Sequence, residues 1–218
     1  MSNSASFAKP GVMSHRVMYS GVDGPLTYSS DFVVVDVETS GFNSASGARI
    51  LEIAAVRTSG DGKVLESFHT LVNPLDGVVG AQFIHGISVG MLRDAPTFSQ
   101  IWPALESMLS DAIFVAHNAR FDASFLDAET QRIGVDMAIM PGLCTYWLGR
   151  YAMPHLDRHK LETIAAELGL VNTDEHSAYA DALVVVEALP HLLHNVELRH
   201  YTERTPALQR VSTPSKTR

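Results

Sequence analysis

The stretch from Asp31 to Gly41, "DFVVVDVETSG", decides how this chain is read. Val33, Val34 and Val35 are three β-branched residues in succession, the pattern of a buried strand. The run ends in Asp36 and Glu38. Side chains two apart on a strand share a face, so these carboxylates project together. Two ionised carboxylates side by side repel, and one keeps its proton unless a cation lies between them. Hard oxygen donors suit Mg²⁺ or Mn²⁺ better than Zn²⁺. From the spacing alone, a strand-edge charge pair and a metal site are equally open readings.

Outward from this strand the signals alternate. "RILEIAAVRTSG", Arg49 to Gly60, reads as a second strand and "KVLESFHTLVNP", Lys63 to Pro74, as a third, with Asp61-Gly62 as the hairpin turn between them. Short connections favour antiparallel pairing of all three. Thr97 and Gln100 have capping-box spacing ahead of a helix whose apolar face is Phe98, Ile101, Leu105, Met108 and Leu109. Pro103 predicts a late start or a bend in it. Ala112–Asn118 reads as a short buried strand, followed by a helix ending at Gly134 and a further strand near Met137–Thr145. "KLETIAAELGL" and "AYADALVVVEALPHLL" read as helices, the latter bent or interrupted at Pro190. The sum is a mixed sheet covered by helices.

Residues 31–195 form the expected folded domain. Residues 1–30, rich in Ser and Gly, read as a flexible leader, and residues 196–218 as a flexible polar and mildly basic tail. The chain has 218 residues, 46% hydrophobic and 18% charged, ordinary values for a globular protein. No apolar run approaches the ~20 residues that span a bilayer, and no secretory signal opens the chain, so a cytoplasmic protein without membrane contact is expected. The single cysteine, Cys144, fits a reducing compartment. A formal net charge of −8 argues against a broad basic face for nucleic acid, but not against an enzyme that meets phosphates through bound cations.

Two more acidic residues enter at element boundaries. Asp122, in "AHNARFD", lies where a helix begins just after the fourth strand. Sites gather at strand ends in open α/β sheets, although for Asp122 alone the reading as a helix-dipole partner in a first turn wins. Asp181 precedes the apolar run Ala182–Val186, and His176 stands just ahead of that helix. Alone, each reads as an ordinary polar group. Together they complete a set, because a metal-bound water needs a base, and an imidazole of unperturbed pKa near ~6.5 suits the task.

"VVDVETSG", "VAHNARFD" and "HSAYADA" resemble the three exonuclease motifs of the DEDD superfamily in its histidine variant, with the proofreading epsilon subunit of bacterial DNA polymerase III and its free-standing relatives the nearest likeness. "FIHGISVGMLRDAPTF", Phe83 to Phe98, resembles the segment between the first two motifs, and "LCTYWLGR" and "HKLETIAAELGL" the later region. The likeness spans residues 31–195. It implies a ribonuclease H-like fold, with a mixed five-stranded sheet, the first three strands antiparallel and the others parallel, flanked by helices. It implies 3′→5′ release of nucleoside 5′-monophosphates from a nucleic acid with a free 3′ end, DNA ahead of RNA, in proofreading or repair. By position, Asp36, Glu38, Asp122 and Asp181 would hold two Mg²⁺ or Mn²⁺ ions, Asp36 bridging them, and His176 would be the general base. Thr39 would meet the terminal nucleotide through its backbone, and His85 and Asn118 would line the substrate groove. A polymerase partner and a free-standing enzyme both fit. An exoribonuclease on the same fold is the alternative. An inactive binding module would have lost one of the five catalytic positions, and all five are present.

Other candidates read as structure. His155 and His159 have i, i+4 spacing but no third zinc ligand. Cys144 reads as a buried thiol, and Trp102 and Trp147 as core or rim aromatics. No phosphate-binding glycine loop followed by Lys is present.

Overall fold

The computed structural model describes residues 12–19, 31–172 and 177–195. Among them, seven strands form one sheet: β1 (Val12–Ser14), β2 (Val17–Tyr19), β3 (Phe32–Thr39), β4 (Ile50–Thr58), β5 (Val64–Leu71), β6 (Ile113–Ala116) and β7 (Met140–Cys144), in the order β1-β2-β7-β6-β3-β4-β5. β3, β4 and β5 pair antiparallel, while β3, β6 and β7 run parallel. This is the expected five-stranded ribonuclease H-like core.

β3 is central, and its valine run is explained by burial on both faces. Phe32 and Val34 pack with one apolar cluster, Val33, Val35 and Val37 with the other. The first cluster is covered by α7 (Ala178–Asn195), the second by α3 (Phe98–Leu109) and α4 (Arg120–Arg132). Asp36 and Glu38 continue the Phe32–Val34 register, so they emerge on the α7 side at the end of the strand. There the pairing of β3 with β4 shifts register between Glu38 and Thr39, a bulge-like irregularity of the kind that ends pairing and re-aims side chains.

Two short helices, α1 (Gln82–His85) and α2 (Val89–Leu92), lie between β5 and α3; α5 (Thr145–Ala152) follows β7, and α6 (Leu161–Leu168) precedes α7. α3 starts at Phe98, directly after its Thr97–Gln100 capping box, and continues through Pro103. The late start does not occur. Pro103 faces solvent, the side of a helix on which a carbonyl left free by a missing N–H is open to water. α7 likewise runs uninterrupted through Pro190. Gly62, at φ +86° in the β4–β5 turn, sits so close to that proline that a Cβ would lie 2.8 Å from its Cγ.

β1 and β2 lie inside the stretch expected to be a leader, and that expectation is corrected for residues 12–19. The hairpin turns at His15 (φ 49°) and Arg16 (φ 63°), and β2 pairs parallel with β7. Arg16 forms an ion pair with Asp136, and His15 lies 3.5 Å from Asp127. Pairing with β7 supplies the hydrogen bonds that three-residue strands cannot find alone. The expected tail, 196–218, lies outside the described residues. No helix among the described residues is long and apolar enough to cross a membrane.

Candidate active site

The acidic residues converge. Asp36 and Glu38 from β3 and Asp181 from the first turn of α7 each place a carboxylate oxygen so that all three lie within 4.8 Å of one another. Asp122 comes from the opposite layer. It sits in the first turn of α4, is 2% exposed, and is the strongest charged neighbour of Asp36. The chain reaches it through Asn118, which adopts the left-handed conformation (φ 62°) and accepts the Phe121 N–H at 2.8 Å, turning β6 into α4. Asn tolerates that conformation better than most residues.

Burial and mutual repulsion push these carboxyls toward their protonated forms. Burial pushes the Asp36 carboxyl well above the usual range, and Asp122, Asp181, Glu38 and Glu52 push it further. Burial, then Asp181 and Glu52, raise Glu38 to about 8. Burial also raises Asp122, against hydrogen bonding to its own backbone and that of Val37. Asp122 Oδ2 is buried with no hydrogen-bond partner among the described residues, as is Asn118 Oδ1. Buried polar atoms are rarely left so. A divalent cation fits this donor set: it would neutralise the repulsion and give the orphaned carboxylate oxygen a partner.

The remaining sequence candidates divide. Thr39 ends β3 just after the register shift, opposite Ile50, and its hydroxyl donates to Gly41 O at 2.8 Å. His85 has both ring nitrogens engaged: Nε2 donates to Val79 O and Nδ1 accepts from the Ile87 N–H, each at 3.0 Å. It shapes the 79–87 segment, which at Gly80 passes close to Ser40, the residue after β3. A Cβ there would lie 2.1 Å from Ser40 O. His176 lies outside the described residues; its neighbour Ser177 accepts the Asp181 N–H at 3.0 Å. His155 and His159 do not pair. His155 bonds Glu167, and the buried His159 bonds Met153 O, both at 2.9 Å. Cys144 is buried, and burial pushes its thiol up.

Sequence reasoning missed Glu52 and Glu129. Glu52, 7% exposed on β4, stands directly across from Glu38, and the signal was a lone carboxylate inside the apolar run "RILEIAAV". Glu129, 1% exposed on α4, takes a bidentate hold from Arg49 (2.7 and 2.9 Å) and a bond from Arg132 (3.0 Å). Arg132 also donates to Ser44 O, so this network fastens the loop after β3 to the helix that carries Asp122.

A cleft of about 530 Å³ opens beside the cluster, lined in part by His69, Asn172, Ser177 and Tyr179. A cavity of about 550 Å³ lies at the far end of the parallel strands, by Ile113 and Met140, away from the carboxylates.

Comparison with known proteins places the chain in a family. Residues 33–189 match the RNase_T exonuclease family. The chain is 34% identical over 189 residues to a PolC-type DNA polymerase III of Halalkalibacterium halodurans, covering 86% of this chain and 13% of that protein. It is 34% identical over 175 residues to a DNA polymerase III subunit epsilon-like protein of Rhodobacter capsulatus, covering 78% and 25%. It thus spans a quarter or less of the length of these relatives. Among solved structures, E. coli exonuclease I in complex with a dA16 oligonucleotide superposes with a TM-score of 0.69 at 21% identity, over 80% of this chain and 43% of that one. Carboxylates gathered from three elements at the end of a five-stranded core, and a family match across that whole core, lead to one conclusion: this chain belongs to the exonuclease family.

Proposed function

We propose that the chain removes nucleotides one at a time from the 3′ end of DNA, releasing nucleoside 5′-monophosphates, in proofreading or repair. The observation that carries this is the approach of Asp36, Glu38 and Asp181 to within 4.8 Å, with Asp122 beside them. Phosphodiester hydrolysis gains more from positioning and charge neutralisation than from a protein nucleophile. Asp36, Glu38, Asp122 and Asp181 would hold two Mg²⁺ or Mn²⁺ ions, which when bound lower the pKa of water and offset charge on the phosphate. An imidazole nitrogen of His176 takes the proton of the attacking water. As the water oxygen bonds to phosphorus, the bond from phosphorus to the 3′ oxygen breaks, and that oxygen leaves with a proton from solvent. The Thr39 backbone, Asn118 and the His85-shaped segment hold the terminal nucleotide. Phe42, in the loop after β3, and Phe83, on α1, are 84% and 90% exposed and offer faces on which bases stack. Likeness to proteins named as DNA polymerase III supports DNA as the substrate, and with it the proposal of a polymerase partner and a cytoplasmic setting.

The test is purified protein with Mg²⁺ or Mn²⁺ on end-labelled single-stranded DNA, duplex, mismatched duplex and RNA in parallel. Stepwise shortening from the 3′ end, faster on DNA and abolished by a chelator, is expected. Faster loss from RNA would make the chain an exoribonuclease, and no shortening of any substrate would remove the reading.

A further inference from the structure

Glu52, buried on β4, and His69, exposed on β5, form a unit that the proposed chemistry does not use. Glu52 Oε1 lies 2.5 Å from His69 Nε2. Its other oxygen, Oε2, accepts the N–H of Ala178 at 3.4 Å, the first residue of α7. The His69 ring stacks on Tyr179, the second residue of α7, with centroids 5.3 Å apart and planes 20° from parallel. The contacts therefore close on themselves: β4 to β5 through Glu52 and His69, β5 to α7 through the ring stack, and α7 back to β4 through the Ala178 N–H.

The setting is costly for a carboxylate. Glu52 faces Glu38 across the β3–β4 ladder, and its charge pushes both Asp36 and Glu38 toward protonation. An apolar side chain there would remove that repulsion. What Glu52 supplies in return is an acceptor for an orphan N–H at the start of a helix, aimed from the strand next to β3. Asp181 lies one turn further on, with its N–H bonded to Ser177 O. The first turn of α7 is thus held at both of its ends, and that turn delivers one of the three converging carboxylates.

We propose that Glu52 is a positioning residue for the metal site: clamped by His69, it docks the first turn of α7 on β4 and so sets where Asp181 meets Asp36 and Glu38. This rests on the metal-dependent reading above. It assigns no contact between Glu52 and the ions. Groups that orient metal-binding side chains are worth about 10–100-fold in affinity or activity.

The experiment measures Mn²⁺ binding directly, by the loss of the free-Mn²⁺ electron paramagnetic resonance signal on titration into full-length protein, beside 3′-end shortening of a DNA oligonucleotide. Wild-type protein that neither binds Mn²⁺ nor shortens DNA would sink the functional reading itself, before any variant is compared. With an active wild type, Glu52→Ala should weaken Mn²⁺ binding by about tenfold or more and lower kcat similarly, leaving KM for the oligonucleotide within about twofold. Glu52→Gln keeps an acceptor for Ala178 and should restore Mn²⁺ affinity to within about threefold of wild type. His69→Phe keeps the stack but frees Glu52, and should fall between the two. Wild-type affinity in both Glu52→Ala and His69→Phe overturns the proposal. So does a Glu52→Gln as weak as Glu52→Ala, because charge rather than docking would then be the contribution. If Glu52→Ala fails to fold, His69→Phe decides: weakened Mn²⁺ binding supports the clamp, and unchanged binding overturns it.

Discussion

Glu38 shows what the cluster asks of a single residue. Without a cation its carboxyl is raised from 4.5 to about 8, so at pH 7 the folded protein holds a proton that the unfolded chain has released. The sign follows from linkage: where the native state binds more protons, stability falls as pH rises. Between about pH 4.5 and 8 this group makes the metal-free protein steadily less stable. Asp36 and Asp122, shifted in the same direction, add to the trend. Melting temperatures of chelated protein should drop across that window, and Mg²⁺ or Mn²⁺ should raise them most at its alkaline end, where the cation has fewest protons to displace. His117 works oppositely. Burial lowers it to about 4, so it stays neutral across the working range. On the proposed role of His176 as base, the pH–rate profile should carry an acid limb near ~6.5. It should vanish in His176→Ala, along with most activity, and survive in a His117 variant that folds. Asp36→Ala and Asp181→Ala should each remain folded and lose about 10²–10³-fold or more in kcat, read on the same labelled oligonucleotide.

At the scale of elements, the site depends on how three loops are fastened. Glu129 accepts from Arg49 and Arg132, and those arginines in turn hold Pro74 O and Ser44 O. Glu129→Ala leaves two cations facing an empty buried acceptor position and should cost about 3–5 kcal/mol in denaturant unfolding. Gly80→Ala meets both a left-handed backbone (φ +62°) and the Ser40 carbonyl, so activity should fall with the position of the 79–87 segment even where the fold persists. The long apolar runs and the capping box were legible in the sequence because each carries its own period or cap. The β1–β2 hairpin was not. Its strands are three residues long, and its turn places His15 and Arg16 at positive φ, where Asn and Gly are the usual signal. Asp36, Glu38, Asp122 and Asp181 were legible through their motifs. Glu52 and Glu129 were not, because a buried carboxylate declares itself only when its partners from other elements are known: His69 from β5 for one, Arg49 from the loop before β4 for the other.

For the molecule as a whole, the sheet edges set a further test. β2 covers Met140–Gly142 of β7, which would otherwise present unpaired N–H and C=O groups. Removing residues 1–19 should lower the melting temperature and promote self-association, visible by light scattering, while the carboxylates keep their places and the surviving monomer keeps its activity. The carboxylates themselves come from both sides of the sheet: Asp122 from α4, Asp181 from α7, with Asp36 from the strand between them. An ion held by all three would couple motions that are otherwise independent. Opening either helix end would release it, so each opening would carry the full free energy of dissociation. Amide hydrogen exchange at the starts of α4 and α7 should then slow together as Mn²⁺ is added, with a common concentration dependence, although the two helices pack on opposite faces.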